Sequence, residues 1–199
     1  MSKLIYGAGV NDADYVVVKN ESFYVDGKRK QKAIWRCPFY LKWQAMIQRC
    51  YSEKYQREKP TYIGCSVTEE WHTFSNFKKW MEQQEWEGKH LDKDILVPGN
   101  KVYSPDTCVF VDGAVNVFLV DRGSAGGDWP LGVCFRGDIN KFRSQCSNPF
   151  TKQREYLGYF KDPQEAHLAW KQRKHELACQ LADLQTDQRV ADALRARYL

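Results

Sequence analysis

The sequence predicts an α+β chain ending in a three-stranded antiparallel sheet packed on one helix. Three observations carry this expectation. In Lys141–Cys146 and Lys152–Phe160, polar and apolar side chains alternate with the period of two of a half-buried strand. Turn residues at Gly137-Asp138 and at Ser147-Asn148-Pro149 separate these strands from each other and from the opening segment Trp129–Arg136. Asp162, Pro163 and Glu165 then form a helix start, with an N-cap, a proline at the first position and a capping-box acid. Ala166, Ala169, Trp170, Leu177, Leu181 and Leu184 follow as its apolar stripe.

The sheet has a useful asymmetry. Phe142 falls on the opposite face from Lys141 and Arg143, so one face can pack inward. The other face then carries Arg136, Lys141, Arg143, Gln145, Lys152 and Arg154. A ribbon of two or three strands fits the major groove, where Arg and Gln make bidentate contacts to base edges. Arg136, Arg143, Gln145 and Arg154 are therefore expected to read bases, and Lys141 and Lys152 to contact phosphates. The alternative is an ordinary sheet-plus-helix module with a basic surface.

The remaining elements follow in chain order. Residues 1–36 read as an arm with little core of its own. They hold Gly7 and Gly9, a short strand over Tyr15–Val18 and a basic turn over Gly27–Lys30, whose Arg29 or Lys30 could add phosphate contacts. Leu41, Ala45, Met46, Ile47 and Cys50 fall on and near one face of a helix expected over Pro38–Tyr51. Residues 52–64 are polar and irregular, and Ile63–Val67 is short and strand-like. Thr68 is expected to cap a helix carrying Trp71, Phe74, Phe77, Trp80 and Met81 at spacings of three and four. Leu91–Asp94 and Thr107–Val111 read as strands around Pro98-Gly99-Asn100, and Ala114–Val120 as a short helix. Glycine-rich residues 122–128 are expected to link to the terminal module over 129–185. The tail over 186–199 either extends the last helix or folds back as another.

Composition narrows the function classes. The net charge of +5 permits an anionic partner, but 25 acidic residues dilute it, so local placement matters more. No apolar run approaches a membrane span and no secretory signal opens the chain, so no membrane association is expected. Seven cysteines, an odd number, point to a reducing compartment. Gly-rich phosphate loops, nucleophile elbows and Ser-His-Asp arrangements do not appear, so no small-molecule substrate is expected.

Two segments carry a family resemblance. Gly158-Tyr159-Phe160 followed by Asp162, Glu165, Ala166 and Ala169 resembles the signature of the Apetala-type (ethylene-response-factor-like) DNA-binding domain. That family packs a three-stranded sheet on one helix and reads the major groove with the sheet. Upstream, Trp43–Tyr51, Cys65 with Glu70-Trp71, Phe74–Phe77, Leu91–Asp94 and Tyr103–Cys108 resemble phage-encoded HNH endonuclease-like proteins. Those proteins often join the two halves in this order. The resemblance implies an HNH-like ββα domain with flanking helices over 37–121, double-stranded DNA as partner, and the cytoplasm of a bacterial host. It also implies DNA nicking or cleavage supported by magnesium or manganese.

Position by position, Asp92 falls where a metal ligand belongs and Asn116 is the candidate helical ligand. Lys93 falls where the histidine base belongs, and a protonated Lys cannot take a proton and repels a divalent cation. His90, Asp92 and Asp94 project to one face of a strand, which makes His90 the alternative base. The catalytic candidates are thus His90, Asp92, Asp94 and Asn116. The other reading keeps His90 as a surface or structural residue and Asp92 and Asp94 as turn or salt-bridge residues. Three roles follow for the whole chain: an HNH-type DNA endonuclease, a DNA-binding regulator without chemistry, or a phage accessory protein that inhibits a host protein through aromatic anchors.

Cys37, Cys50, Cys65 and Cys108 lie in the HNH-like segment and could hold a structural zinc. None of them shows the spacing of about two to four residues typical of zinc knuckles. Small buried thiols packing as apolar side chains are the alternative. Cys134, Cys146 and Cys179 read as core or near-core residues. His72, His167 and His175 show no partner pattern, and the last two, within the last helix, are expected on the solvent side or facing phosphate rather than in catalysis.

Overall fold

The computed structural model describes residues 4–120 and 128–199. The linker expected over 122–128 therefore lies, apart from Asp128, outside the described residues. The chain forms two compact units, one of Met1–Glu87 with Val97–Phe110, the other of Gly88–Leu96 with Val111–Leu199. The stretch 37–121 is thus divided between the units.

In chain order, the first elements are β1 (Val18–Val25), β2 (Lys28–Arg36), α1 (Pro38–Tyr51), α2 (Glu53–Glu58), β3 (Ser66–Val67) and α3 (Phe74–Met81). Then come β4 (His90–Asp92), β5 (Val102–Tyr103), β6 (Val109–Val111) and α4 (Gly113–Leu119). The chain ends with β7 (Val133–Arg136), β8 (Lys141–Ser147), β9 (Arg154–Phe160), α5 (Pro163–Ala182) and α6 (Gln188–Ala196). The class is α+β.

In the first unit, β1 and β2 form an antiparallel hairpin. Its two-residue turn is Asp26-Gly27, with φ of +51° and +72°. Positive φ at both central residues matches the twist of the flanking strands, which is why Asp-Gly is favoured there. This corrects two expectations. The basic residues Lys28–Lys30 open a strand and are not the turn, and the strand expected over Tyr15–Val18 begins only at Val18.

Helix α1 spans the expected residues and buries Tyr40, Trp43, Met46, Ile47 and Cys50. Leu41 is instead exposed, because Trp43 sets the phase of the buried stripe. The polar stretch after α1 is partly ordered as α2, with Ser52 Oγ accepting from the Tyr55 amide at 3.3 Å. The helix expected from Thr68 is broken. A single 3-10 turn covers Glu69–His72, and Thr73 is extended at φ −90°, ψ 125° before α3 starts. The cause is the N-terminal segment: the Val10 amide donates to His72 O at 2.8 Å, and the Phe74 amide donates to Val10 O at 3.0 Å. Bridging to Val10 holds Thr73 extended, and its two helix-type bonds, to Glu70 O at 3.4 Å and from the Phe77 amide at 3.5 Å, are long. Trp43, Met46, Ile47, Trp71, Phe74, Phe77 and Met81 are among the fully buried residues of this unit's core. Gly9 is required there, since a Cβ on it would stand 2.8 Å from the Trp43 ring.

In the second unit, β7, β8 and β9 form an antiparallel sheet with β8 in the centre. Asp162 caps α5, its Oδ1 accepting from the Gln164 and Glu165 amides at 2.6 and 3.1 Å. Ala166, Trp170, Leu177 and Leu181 are buried as the stripe predicts. Leu184 is exposed because α5 ends at Ala182, and the tail folds back as α6. Lys174 occupies the stripe's missing position. It is 7% exposed, donates to Phe118 O at 2.7 Å, and its ammonium lies over the rings of Phe118, Tyr198 and Trp170. Among the described residues no helix is long and apolar enough to cross a membrane.

Candidate nucleic-acid interface

Residues directly opposite each other in an antiparallel sheet share a face. On the inner side, Val133 pairs with Ser144 and Ser144 with Gly158, while Phe142 lies between Phe135 and Phe160. Ser144 and Cys146 on this side are buried. Cys146 is paired with Glu155, which turns inward to the helix. Its carboxylate accepts two bonds from Arg173, at 2.7 and 3.1 Å, and one from Asn148 at 2.7 Å. The Arg173 and Asn148 bonds hold the Glu155 carboxyl down at about 2.

The outer side follows by alternation. Arg136 pairs with Lys141, Arg143 lies between Cys134 and Tyr159, Gln145 pairs with Tyr156, and Ser147 pairs with Arg154. The register slips once, between Ser144 and Gln145, which leaves Leu157 as the extra residue of β9. Without that slip Tyr156 and Arg154 would fall on the inner side. Five of the six expected residues, Arg136, Lys141, Arg143, Gln145 and Arg154, therefore share one face.

The sixth, Lys152, is placed differently. It stands in the turn before β9 with φ +58°, and its amide donates to Asn148 O at 3.0 Å. Asn148 organises this turn, its Oδ1 accepting from the Phe150 and Thr151 amides at 2.8 and 3.1 Å. The expectation that Lys152 belongs to the strand face is corrected: the Asn148-Pro149 turn runs on to Gln153, so β9 starts at Arg154.

Two side chains of this face carry local electrostatic structure. Arg136 forms a bidentate pair with Asp138 at 2.9 and 2.8 Å, which keeps the Asp138 carboxyl below the usual carboxylate range. Arg143 Nε is out of reach of solvent and has no hydrogen-bond partner among the described residues. Tyr156 and Tyr159 meet edge to face at 5.2 Å, and both are exposed. Sequence reasoning did not include the two tyrosines. Their shared side depends on the bulge, which the alternation pattern alone does not reveal.

The second group of expected residues lies around β4. β4 lies in the second unit, where α4 packs beside it. His90 is exposed, and its Nε2 would stand 3.5 Å from a Cβ built on Gly113, so the imidazole lies beside the first residue of α4. Asn116 is half-buried one turn further along α4. Asp92 acts as a turn residue: its Oδ1 accepts from the Asp94 amide at 2.9 Å and the Ile95 amide at 2.8 Å. Burial, and then the Asp94 charge, push its carboxyl up. Asp94 lies beyond the end of β4, so the period-two face expected for His90, Asp92 and Asp94 stops at Asp92. It pairs instead with Lys93 Nζ at 3.1 Å, and Lys93 is 7% exposed.

Cys37, Cys50, Cys65 and Cys108 are all buried within the first unit's core. Among the described residues no three His, Cys, Asp or Glu side chains converge as a metal-ligand group. His167 is half-buried rather than on the solvent side, with Nδ1 2.9 Å from Leu131 O and its ring stacked on Trp170. His175 meets Cys179 Sγ at 3.6 Å. No protein-family model, no curated protein and no solved structure matches this chain.

Proposed function

We propose that this chain binds double-stranded DNA through the outer face of β7, β8 and β9, and that it does so without cutting. One observation carries the reading: Arg136, Lys141, Arg143, Gln145 and Arg154 share a face in register with Tyr156 and Tyr159. Three strands spaced ~4.8 Å apart make a backbone ribbon about 10 Å wide, comparable to a major groove of about 12 Å. Arg143 sits on the central strand, where a groove-seated sheet comes nearest the bases. Lys152, in the turn, reaches backbone phosphates at the margin, and the tyrosine hydroxyls add neutral donors.

The absence of cutting is argued from the donors around β4. A divalent cation needs carboxylate oxygens free to coordinate it. Asp92 Oδ1 already serves two backbone amides. Asp94 is held by the Lys93 ammonium. These residues do not fit a magnesium or manganese ion, so no hydrolytic step is assigned to His90, Asp92, Asp94 or Asn116.

Fluorescence anisotropy on duplexes selected from a random library tests the binding reading. Arg143→Ala should lower affinity and relax preference at one position by about 1–3 kcal/mol. Lys152→Ala should weaken all duplexes alike and reduce the salt slope by about 0.9. Unchanged binding in both variants would sink the assignment of this face. Supercoiled plasmid incubated with magnesium or manganese should stay supercoiled; nicking that His90→Ala abolishes would restore the endonuclease reading.

A further inference from the structure

The hairpin of β1 and β2 holds most of the molecule's charge imbalance. Residues 18–36 contain six basic side chains (Lys19, Lys28, Arg29, Lys30, Lys32 and Arg36) against two acidic ones, Glu21 and Asp26, a net charge of +4. The whole chain carries +5, so the other 180 residues together amount to +1. These charges are also sorted by face. Lys28 pairs with Val25, Lys30 with Phe23 and Lys32 with Glu21, which puts three lysines on one side of the ribbon around an aromatic ring. The opposite side carries Arg29, held by Ser22 Oγ at 3.0 and 3.2 Å, with Tyr24 and Gln31.

No residue of either strand is buried, and Phe23, Tyr24, Ile34 and Trp35 are all exposed. An isolated two-stranded hairpin is marginal in water, so an uncovered one rich in aromatic residues gains from a partner that lies along it. Lysines on an edge strand also discourage strand-to-strand aggregation. That role needs a charge or two at an edge and does not require a row of three on one face. Alternate residues of a strand lie about 6.6 Å apart, so Lys28, Lys30 and Lys32 form a regular line of positive charge.

We infer that the β1–β2 ribbon is a second DNA-contacting element, which lies along a duplex and neutralises phosphates without regard to sequence. The partner is identified by charge and shape. Duplex DNA presents one negative charge per about 1.7 Å of axis, and a two-stranded ribbon is narrow enough for its major groove. Eight residues of strand extend about 26 Å, which spans many such charges. Phe23, between the lysines, supplies apolar contact. The inference rests on the reading that the chain binds duplex DNA, but it uses none of the residues of the β7–β9 face.

The test uses the full chain and random-sequence duplex, with binding measured between about 50 and 200 mM salt. The triple variant K28Q/K30Q/K32Q should lower the slope of log K against log salt by about 2.7, at about 0.9 per phosphate contact. Its loss of affinity should be equal on all duplexes, its sequence preference should stay that of the native protein, and K28R/K30R/K32R should bind normally. Unchanged affinity and slope in the glutamine variant, with Arg143→Ala still impaired, would overturn the ribbon's role and leave the sheet reading intact. The reverse pattern, a weakened glutamine variant beside unaffected Arg143→Ala and Arg154→Ala proteins, would uphold the ribbon and overturn the sheet. Absence of duplex binding by the native protein would overturn both. Competition by polyglutamate as effective as by DNA at equal charge would reassign the ribbon to an acidic polypeptide and overturn the inference.

Discussion

Gly132 has φ +78°, and a Cβ built on it would stand 2.0 Å from Trp170 Cδ1. The backbone conformation and the close approach exclude a larger residue for separate reasons. Gly132→Ala should therefore cost about 2–4 kcal/mol, combining strain at positive φ with overpacking against a buried indole. Urea unfolding would measure the loss, and a midpoint within error of the native protein would show that Trp170 can move aside. Glu155 gives a pH-dependent counterpart. Arg173 and Asn148 hold its carboxyl at about 2, below the ~4.3 of an unfolded chain. A depressed carboxyl stabilises the fold above the unfolded value and loses that contribution as pH falls toward 2. Glu155→Gln should cost about 1–2 kcal/mol at neutral pH, discounted because the pair is partly exposed, and the gap should close between about pH 4.5 and 2. Urea midpoints measured across that interval check the sign. At this scale, residues acting through local geometry were legible. Asp162 was recognisable as a cap from its neighbours alone. Lys174 was not, because its burial depends on Phe118 and Tyr198, which lie far from it in the chain.

Helix α5 shows what an element can and cannot reveal in its own sequence. Its start and its buried stripe follow from propensity and period. Its end does not, since Leu184 continues the pattern after the helix has stopped. Loss of the cap in Asp162→Ala should cost about 1 kcal/mol. Lys174→Ala should cost more, about 3 kcal/mol, because it empties an aromatic enclosure shared by α4, α5 and the end of the chain. Thermal unfolding of the two variants side by side tests this ranking; equal losses would contradict it. The hairpin was missed for a definable reason. Asp26-Gly27 is a strong two-residue turn signal, but the following Lys28, Arg29 and Lys30 drew the turn onto themselves as a charge cluster. The helix expected from Thr68 failed through a long-range cause, since Val10 pairs beside Thr73 and no window around Thr73 contains Val10.

For the molecule as a whole, net charge is a poor summary and its distribution is the informative quantity. A value of +5 over 199 residues looks unremarkable until nineteen of them account for +4. On the candidate DNA-contacting face, Arg136, Lys141, Arg143 and Gln145 were legible because strand alternation needs only local pattern, whereas Arg154 joins them only through the bulge in β9. The β4 group was less so: Asp92, Asp94 and Lys93 are fixed by a turn and an ion pair that alternation does not describe. Cysteine placement completes the picture. Five of the seven thiols are buried, while Cys134 and Cys179 are partly open. Cys134 pairs across the sheet with Arg143, at the middle of the outer face. A thiol-reactive reagent should therefore modify these two first in the native protein. Duplex DNA should slow modification of Cys134 and leave Cys179 unchanged, so that the protein carries its own footprinting reporter for occupancy of the face.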